Sequence, residues 1–333
     1  MNAYRAPRWL PGGHAQTVYP LLIKPTPYAY FRERWDTPDG DFIDIDWNRT
    51  ERRRGDTSAA PLVILFHGLE GSSNSHYALS LMQELDAIGW GGAVVHFRGC
   101  SGEPNRLPRA YHSGDSAEID WILRRVKARH PTRTCFAAGV SLGGNVLLKW
   151  LGERGGAAEI VVQAAAAVST PHDLAACSYH LERGVNRVYT RNFLQTMVPA
   201  AQERLRRFPT LYDGARLAGV RSLFDFDDAV TAPLHGFAGA EDYWRRSSCK
   251  PWLRAIGVPT LVLNAINDPF IPTRSLPHPD EVSASVQLEY PSGGGHAGFV
   301  SGSLPGNLSW MPRRLIRFFR DRCCLDSPVS AIP

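Results

Sequence analysis

The feature that most constrains the fold of this chain is one Gly-x-Ser-x-Gly pentapeptide at residues 139–143. The apolar run 134–138 before it predicts a buried strand, and apolar residues at helical spacing begin after it at Val146. A serine on a sharp strand-to-helix turn has unfavourable backbone angles and little room, so small residues must flank it. The pattern predicts that Ser141 ends a strand with its hydroxyl exposed; a tight glycine turn with an uninvolved serine is the alternative.

The chain around this motif alternates buried strands with amphipathic helices, which is typical of an α/β fold. Strands are predicted at 62–66, 92–96, 134–138, 160–168, 260–264 and 286–290, and helices at 77–88, from Gly114 or Asp115 onward, and at 311–323. A β-hairpin is predicted over 31–47 with its turn at Asp39-Gly40, followed by a charged surface loop over 48–60. Because the inner strands are apolar throughout, we expect a mostly parallel central sheet with helices on both faces.

The stretch 172–249 interrupts this alternation. It is aromatic and arginine-rich, and its pattern is helical without a strong strand. We expect a helical cap inserted over the carboxyl edge of the sheet, with residues 1–171 and 250–333 forming the core domain. Ordinary helices packed at the side of the sheet are the alternative.

The composition of the chain excludes several classes of protein. With 333 residues and 44% hydrophobic content the chain can bury a large core, and its scattered arginines and net charge of +5 do not suggest nucleic-acid binding. No apolar stretch resembles a signal peptide or is long enough to span a bilayer, so we expect a cytoplasmic protein with six reduced cysteines. The histidines and cysteines lack metal-ligand spacing, and we predict no metal and no cofactor. The basic last helix is predicted to dock on the sheet, and binding to a membrane surface is the alternative for such a helix; peripheral membrane contact is possible but is not what we predict.

A nucleophilic serine needs a base and an orienting carboxylate, which follow it in the chain in the order acid, then histidine. Asp268 follows the predicted strand 260–264, and His296 follows the strand 286–290 within a glycine-rich loop. Both lie where parallel strands end, on the edge where Ser141 is expected. We therefore predict His296 as the general base and Asp268 as its orienter, with Asp242 and Asp280 as alternative acids.

An oxyanion formed at Ser141 needs two N–H donors. One is expected from Leu142, directly after the serine, and the other from Leu69 in the loop that follows the strand 62–66. His67 is predicted to fix that loop by hydrogen bonding. The glycine-rich clusters 98–102 and 111–115 are predicted to be structural, with Asp115 capping a helix.

Five short motifs together resemble the YheT-like hydrolases: Gly13-His-Ala-Gln-Thr17, His67-Gly-Leu-Glu-Gly71, Arg98-Gly-Cys-Ser-Gly102, Tyr111-His-Ser-Gly-Asp115 and Gly139-Val-Ser-Leu-Gly-Gly-Asn145. These are bacterial α/β-hydrolases related to eukaryotic membrane-lipid esterases, and the resemblance covers residues 8–322. It implies an α/β-hydrolase fold and a carboxylic-ester hydrolase whose triad falls on Ser141, Asp268 and His296. It does not define the substrate.

We therefore expect a serine esterase that forms an acyl-enzyme. The many aromatic residues of the cap favour short- to medium-chain acyl or lipid-like esters as substrates. Arg183, Arg187 and Arg191 could instead recruit an anionic substrate, although their spacing is that of one solvated helix face. Thioester or amide hydrolysis on the same triad, or a non-catalytic binding protein, are the alternatives.

Overall fold

The structure is a computed structural model that describes residues 3–23, 28–54 and 59–323. Within these residues eight strands form one sheet in the order β1-β2-β4-β3-β5-β6-β7-β8. They are β1 (Phe31–Asp36), β2 (Phe42–Trp47), β3 (Leu62–Phe66), β4 (Gly91–Val95), β5 (Cys135–Val140), β6 (Ala164–Val168), β7 (Thr260–Leu263) and β8 (Val286–Glu289). β1 and β2 pair in antiparallel fashion, as do β2 and β4, and the remaining pairs are parallel.

The α-helices of the described residues are α1 (Gly13–Val18), α2 (Arg49–Arg54), α3 (His76–Ala87), α4 (Ser116–Arg129), α5 (Leu142–Arg154), α6 (Leu174–Leu181), α7 (Arg187–Arg207), α8 (Gly214–Ala218), α9 (Leu223–Phe226), α10 (Ala232–His235), α11 (Ala240–Ser247) and α12 (Trp310–Cys323). None of the helices in the described part of the chain is both long and apolar enough to cross a membrane. Residues 172–249, all of which are described, contain α6 to α11 and no strand.

Helices cover both faces of the sheet, as the apolar inner strands predicted. On one face Ile122 of α4 and Leu147 of α5 pack on the sheet in one apolar core. On the other face Leu81 of α3 and Phe319 of α12 belong to a second core. The basic last helix thus buries its apolar stripe against the sheet. Each inner strand is therefore buried on both faces, which is typical of parallel strands and explains why their sequences are apolar throughout.

The structure corrects two of the predicted elements. The strand predicted over 160–168 begins only at Ala164, because residues Gly155–Ile160 form a 3₁₀ helix that leaves Ile160 71% exposed. The surface loop predicted over 48–60 instead contains helix α2. Glu51 in that helix is buried and receives two hydrogen bonds from Arg133, at 2.7 and 2.8 Å, which ties the segment to the body.

The two glycine-rich clusters form structural contacts. Arg98 is buried and donates to Glu118 at 2.7 Å and to Asp41 at 3.1 Å, so it joins α4 to the β1–β2 hairpin. Asp115 caps α4 by accepting the Glu118 N–H. Burial and the neighbouring Asp115 raise the pKa of Glu118 to about 7.

The portions of the predictions that fall on residues 1–2, 24–27, 55–58 and 324–333, Cys324 among them, lie outside the described residues.

Candidate active site

Ser141 lies on the sharp turn between β5 and α5 with φ 54° and ψ −120°. A non-glycine residue with positive φ is strained, and the close packing around the turn explains how this conformation is held. A Cβ at Gly139 would come within 2.4 Å of the Gly143 carbonyl oxygen, and a Cβ at Gly143 within 2.3 Å of the Phe66 carbonyl oxygen. The two glycines of the pentapeptide are therefore required by sterics.

Ser141, His296 and Asp268 meet at the carboxyl edge of the sheet, where β5, β8 and β7 end. The His296 Nε2 atom lies 3.0 Å from the Ser141 Oγ atom. The His296 Nδ1 atom lies 2.9 Å and 3.1 Å from the two carboxylate oxygens of Asp268. The side chain of Asp268 is fully buried and that of His296 is 12% exposed. This is the geometry in which a carboxylate orients an imidazole against a serine hydroxyl.

Two further contacts position this chain of hydrogen bonds. The Phe270 N–H donates to Asp268 Oδ1 at 2.8 Å, which orients the carboxylate. The Phe270 ring stacks on the His296 imidazole with ring centroids 4.0 Å apart. The imidazole is thus held by a carboxylate at its edge and by an aromatic ring on its face.

The alternative acids lie elsewhere. Asp242 lies in α11, where it accepts the Ala238 N–H and a hydrogen bond from Arg246, each at 3.2 Å. Asp280 lies on the exposed surface within a short 3₁₀ helix, and its carbonyl oxygen accepts hydrogen bonds from Arg254. Neither is among the groups that contact His296.

The loop that follows β3 lies directly against Ser141. A Cβ at Gly68 would come within 3.2 Å of the Ser141 Cβ. Leu69 and Leu142 both line the cavity at Ser141, and among the described residues their N–H groups have no acceptor. Free N–H groups beside a serine hydroxyl, one of them at the N-terminus of a helix, can stabilise a developing negative charge.

His67 holds this loop, as the sequence predicted. Its Nδ1 donates to the Gly68 carbonyl oxygen at 2.7 Å, and its Nε2 accepts the Phe97 N–H at 3.1 Å. The ring is completely buried, and this burial lowers the pKa of His67 to about 3. It therefore stays neutral, with one nitrogen donating and the other accepting.

Helix α1 supports the glycine-rich loop 293–298, which carries His296 and is called the histidine loop below; sequence reasoning missed this role. The Thr17 hydroxyl accepts the His296 N–H at 2.9 Å. The Gln16 side-chain oxygen accepts the Gly294 N–H at 2.7 Å and the Asn267 side-chain amide at 3.0 Å. Both residues belong to the Gly13–Thr17 motif, which was the available signal in the sequence. The contact could not be predicted because its partners are about 280 residues apart in the chain.

A cavity of about 150 Å³ opens on Ser141. Its floor is formed by Ser141, Leu142 and His296 from the sheet edge. Its walls come from helices α6, α7, α9, α10 and α11, and chiefly from apolar residues such as Leu174, Leu181, Phe193, Met197, Leu223 and Phe226. The segment between β6 and β7 therefore encloses the space above the serine.

One end of the cavity is polar. The Asp227 carboxylate accepts hydrogen bonds from Trp244 Nε1 and from the Thr231 hydroxyl, both at 2.7 Å, and desolvation raises its pKa to about 6. The rings of His112 and His235 lie 4.5 Å apart. Burial lowers the pKa of His112 to about 4 and that of His235 to about 3, so both are neutral at pH 7.

The mostly parallel eight-stranded sheet, with a serine turn after β5 and a histidine loop after β8, defines the class of protein. A family model described as "alpha/beta hydrolase fold" matches residues 61–303. The chain belongs to the α/β-hydrolase fold family, as the resemblance in the sequence implied.

Within that family the chain is similar to the Escherichia coli (strain K12) protein named "Putative esterase YheT", and it is a YheT-like member. The two are 41% identical over 91% of this chain and 88% of the relative. Human "Phospholipase ABHD3" is 30% identical over 93% of this chain and 76% of its own length. Among solved structures, an esterase of Pyrococcus furiosus aligns with a TM-score of 0.55 over 88% of this chain and 93% of its own, at 14% identity, which supports the fold alone.

Proposed function

We propose that this protein is a serine esterase that cleaves carboxylic esters through an acyl-enzyme. The hydrogen-bonded series from Asp268 through His296 to Ser141, in the wall of a largely apolar cavity, is the observation that carries the proposal. The names of the two relatives, an esterase and a phospholipase, support the same chemistry. We also propose that residues 172–249 act as a cap on a core formed by 1–171 and 250–333.

In the proposed reaction the Ser141 Oγ atom attacks the ester carbonyl carbon while His296 Nε2 takes its proton. The negative charge moves onto the carbonyl oxygen, where the N–H groups of Leu69 and Leu142 stabilise it. Collapse of this intermediate breaks the bond to the alcohol oxygen, which takes the proton from His296 as it leaves. Water then repeats the sequence on the acyl-enzyme and releases the acid. Asp268 keeps its charge throughout and stabilises the imidazolium.

We propose lipid-like esters with short or medium acyl chains as the substrate class. The apolar walls of the cavity favour an acyl chain over a charged group. A relative from Saccharomyces cerevisiae, 28% identical over 79% of this chain and 59% of its own length, is named "Monoacylglycerol lipase", and the human relative is a phospholipase by name. Both names support lipid-like esters.

Active-site labelling tests the proposal. A fluorophosphonate should label the parent protein, and Ser141→Ala should abolish both the label and ester turnover while the fold is retained. Loss of a triad member commonly lowers kcat by roughly a millionfold. Ser101→Ala is the matched control and should keep the label. Label retained in Ser141→Ala would place the nucleophile elsewhere, and faster turnover of a matched thioester or anilide would assign a different reaction to the same triad.

A further inference from the structure

Seven large apolar side chains are exposed in segments that surround the histidine loop. Their exposed fractions range from 44% at Val18 to 71% at Leu21. We call this set the entrance face: Val18, Leu21, Leu22, Val185, Val188, Ile266 and Leu304. Single exposed apolar residues are ordinary on a protein surface, whereas several in adjoining segments mark an interaction site.

The four segments that carry the entrance face adjoin one another. The His14 ring in α1 stacks on Tyr189, which follows Val188, and a hydrogen bond of 3.0 Å joins the two side chains. The Tyr19 hydroxyl donates to the carbonyl oxygen of Pro305, next to Leu304, at 3.0 Å. The Asn267 amide, next to Ile266, donates to Gln16 at 3.0 Å. The exposed apolar side chains therefore surround one region of the surface.

The same segments are strongly positive. Residues 3–23, 183–202, 264–274 and 290–310 contain one carboxylate, that of the buried Asp268. The carboxylates at their ends are engaged elsewhere: Glu182 accepts the Phe224 N–H, Glu203 pairs with Arg206 and Glu289 pairs with Arg314. The four segments contain six exposed arginines, and no carboxylate of the described residues lies within ion-pair distance of any of them: Arg5, Arg8, Arg183, Arg187, Arg191 and Arg274. Exposed apolar side chains framed by unpaired arginines complement an anionic lipid surface.

The entrance face is also coupled to the candidate active site. Thr17, beside Val18, accepts the His296 N–H. Tyr189, beside Val188, packs on Phe270 with ring centroids 4.7 Å apart, and Phe270 stacks on His296. A surface bound at this face would therefore lie beside the cavity that holds Ser141.

We infer that the entrance face docks on the surface of an anionic lipid bilayer, so that an ester enters the cavity from the membrane. This inference rests on the proposed function for the substrate, but the docking itself does not require catalysis. A second copy of the chain fits poorly, because a two-fold interface would bring the same unpaired arginines together. The basic helix α12 does not offer such a face, since its apolar stripe is buried against the sheet.

Sedimentation with vesicles tests the apolar part. The full chain should bind vesicles of equal parts phosphatidylcholine and phosphatidylglycerol. Leu21→Ser/Leu22→Ser and Val185→Ser/Val188→Ser should each lower the partition coefficient by about tenfold or more. Each double variant removes two aliphatic side chains that would be buried in the bilayer when the protein binds. Ile160→Ser is the matched control, because Ile160 is as exposed as Leu21 but lies beyond the opposite end of β6. Equal loss in the control, or no binding by the parent, would overturn the inference.

A charge series tests the electrostatic part. Arg183→Gln/Arg187→Gln/Arg191→Gln should weaken binding at least tenfold, because each arginine near an anionic surface contributes roughly fivefold. Arg52→Gln/Arg53→Gln/Arg317→Gln removes the same charge from α2 and α12 and should change binding less than about threefold. Parent binding should weaken in high salt and should be weak on phosphatidylcholine alone. Equal binding to both vesicle types would overturn the anionic assignment.

Two further measurements separate this inference from the proposed function. Ser141→Ala should bind vesicles like the parent, so loss of catalysis alone does not affect docking. Turnover of a water-soluble ester by the entrance-face variants should stay within about twofold, since none of the substituted side chains lines the cavity. If size-exclusion chromatography shows a dimer that Leu21→Ser/Leu22→Ser converts to a monomer, the face is a subunit interface and the inference is wrong.

Discussion

Asp268 accepts the Phe270 N–H, bonds the His296 imidazole and has no exposed side-chain surface. An amide in its place can donate an N–H to His296 Nδ1, which then must accept. The imidazole proton then lies on Nε2, so Nε2 can no longer accept the proton of the Ser141 hydroxyl. We predict that Asp268→Asn keeps the fold and lowers kcat by roughly a thousandfold to ten-thousandfold. Steady-state kinetics on a soluble ester measures this, with circular dichroism as the check on folding.

Asp242→Asn and Asp280→Asn are the matched controls for this prediction. Both positions are carboxylates after the serine in the chain, and neither contacts His296. Their kcat values should stay within about threefold of the parent. An inactive Asp242→Asn together with an active Asp268→Asn would move the acid into the cap and contradict the proposed triad.

At the scale of the elements, α1 acts on the site through the histidine loop. We predict that Thr17 is a positioning residue, since its hydroxyl accepts the His296 N–H at 2.9 Å and no atom of it lines the cavity. Thr17→Val should lower kcat by about tenfold to hundredfold and change KM little, because the imidazole is displaced while the cavity is unchanged. Thr17→Ser should restore most of the activity.

Thr196→Val is the control, because among the described residues the Thr196 hydroxyl bonds only within its own helix, to the Phe193 carbonyl oxygen. Its kcat should match that of the parent. If Thr17→Val raises KM and leaves kcat unchanged, or if Thr17→Ser is as slow as Thr17→Val, the hydroxyl does not position His296.

Several elements could be predicted from the sequence because their signals are local. Apolar runs of about five residues predict where the strands end, and these ends place Ser141, Asp268 and His296 on one edge of the sheet. The catalytic roles of the three residues stay predictions. The predicted start of β6 was wrong by four residues, because Ile160 is apolar yet exposed. The pattern of apolar residues alone cannot distinguish an exposed apolar residue from a buried one. Helix α2 was missed because the partner of Glu51, Arg133, is 82 residues away.

At the scale of the whole molecule, the volume of the cavity sets the range of substrates. About 150 Å³ is the volume that holds one benzene molecule in an engineered apolar cavity, so about six acyl carbons fill it. We predict that kcat/KM rises from acetyl esters by up to about fourfold per methylene and falls beyond roughly six to eight carbons. A series of p-nitrophenyl esters from two to sixteen carbons measures this.

A flat profile in that series would contradict the apolar cavity as the acyl site. Comparing a neutral ester with an anionic ester of the same length in low and high salt separates a charged substrate from an apolar one, since screening weakens the binding of the anionic ester alone. This volume could not be predicted from the sequence. It depends on how five helices of residues 172–249 meet the loop after β3, and no single motif encodes that many packing contacts.

The pH dependence of stability is also a property of the whole molecule, because buried histidines are spread over the sheet edge and the cap. Burial lowers the pKa of His67, His172 and His235 to about 3 and that of His112 to about 4. Each binds a proton in the unfolded chain below pH 6.5 but not in the folded one. The stability that each contributes is present above pH 6.5 and is lost as the pH falls to the folded-state pKa, which is about 4 for His112 and about 3 for the other three.

Two buried carboxyls act in the opposite direction, since desolvation raises the pKa of Glu118 to about 7 and that of Asp227 to about 6. They take up protons in the folded state and so stabilise it as the pH falls. Burial also lowers the pKa of His76 and His180, so the histidines outweigh the two carboxyls. We predict that the free energy of unfolding falls by roughly 3 kcal/mol per pH unit between pH 6 and 4.5. Urea unfolding at several pH values measures it. His172, whose ring nitrogens have no partner among the described residues, allows a direct check. His172→Leu should reduce that slope by about 1 kcal/mol per pH unit, and an unchanged slope would contradict the assignment.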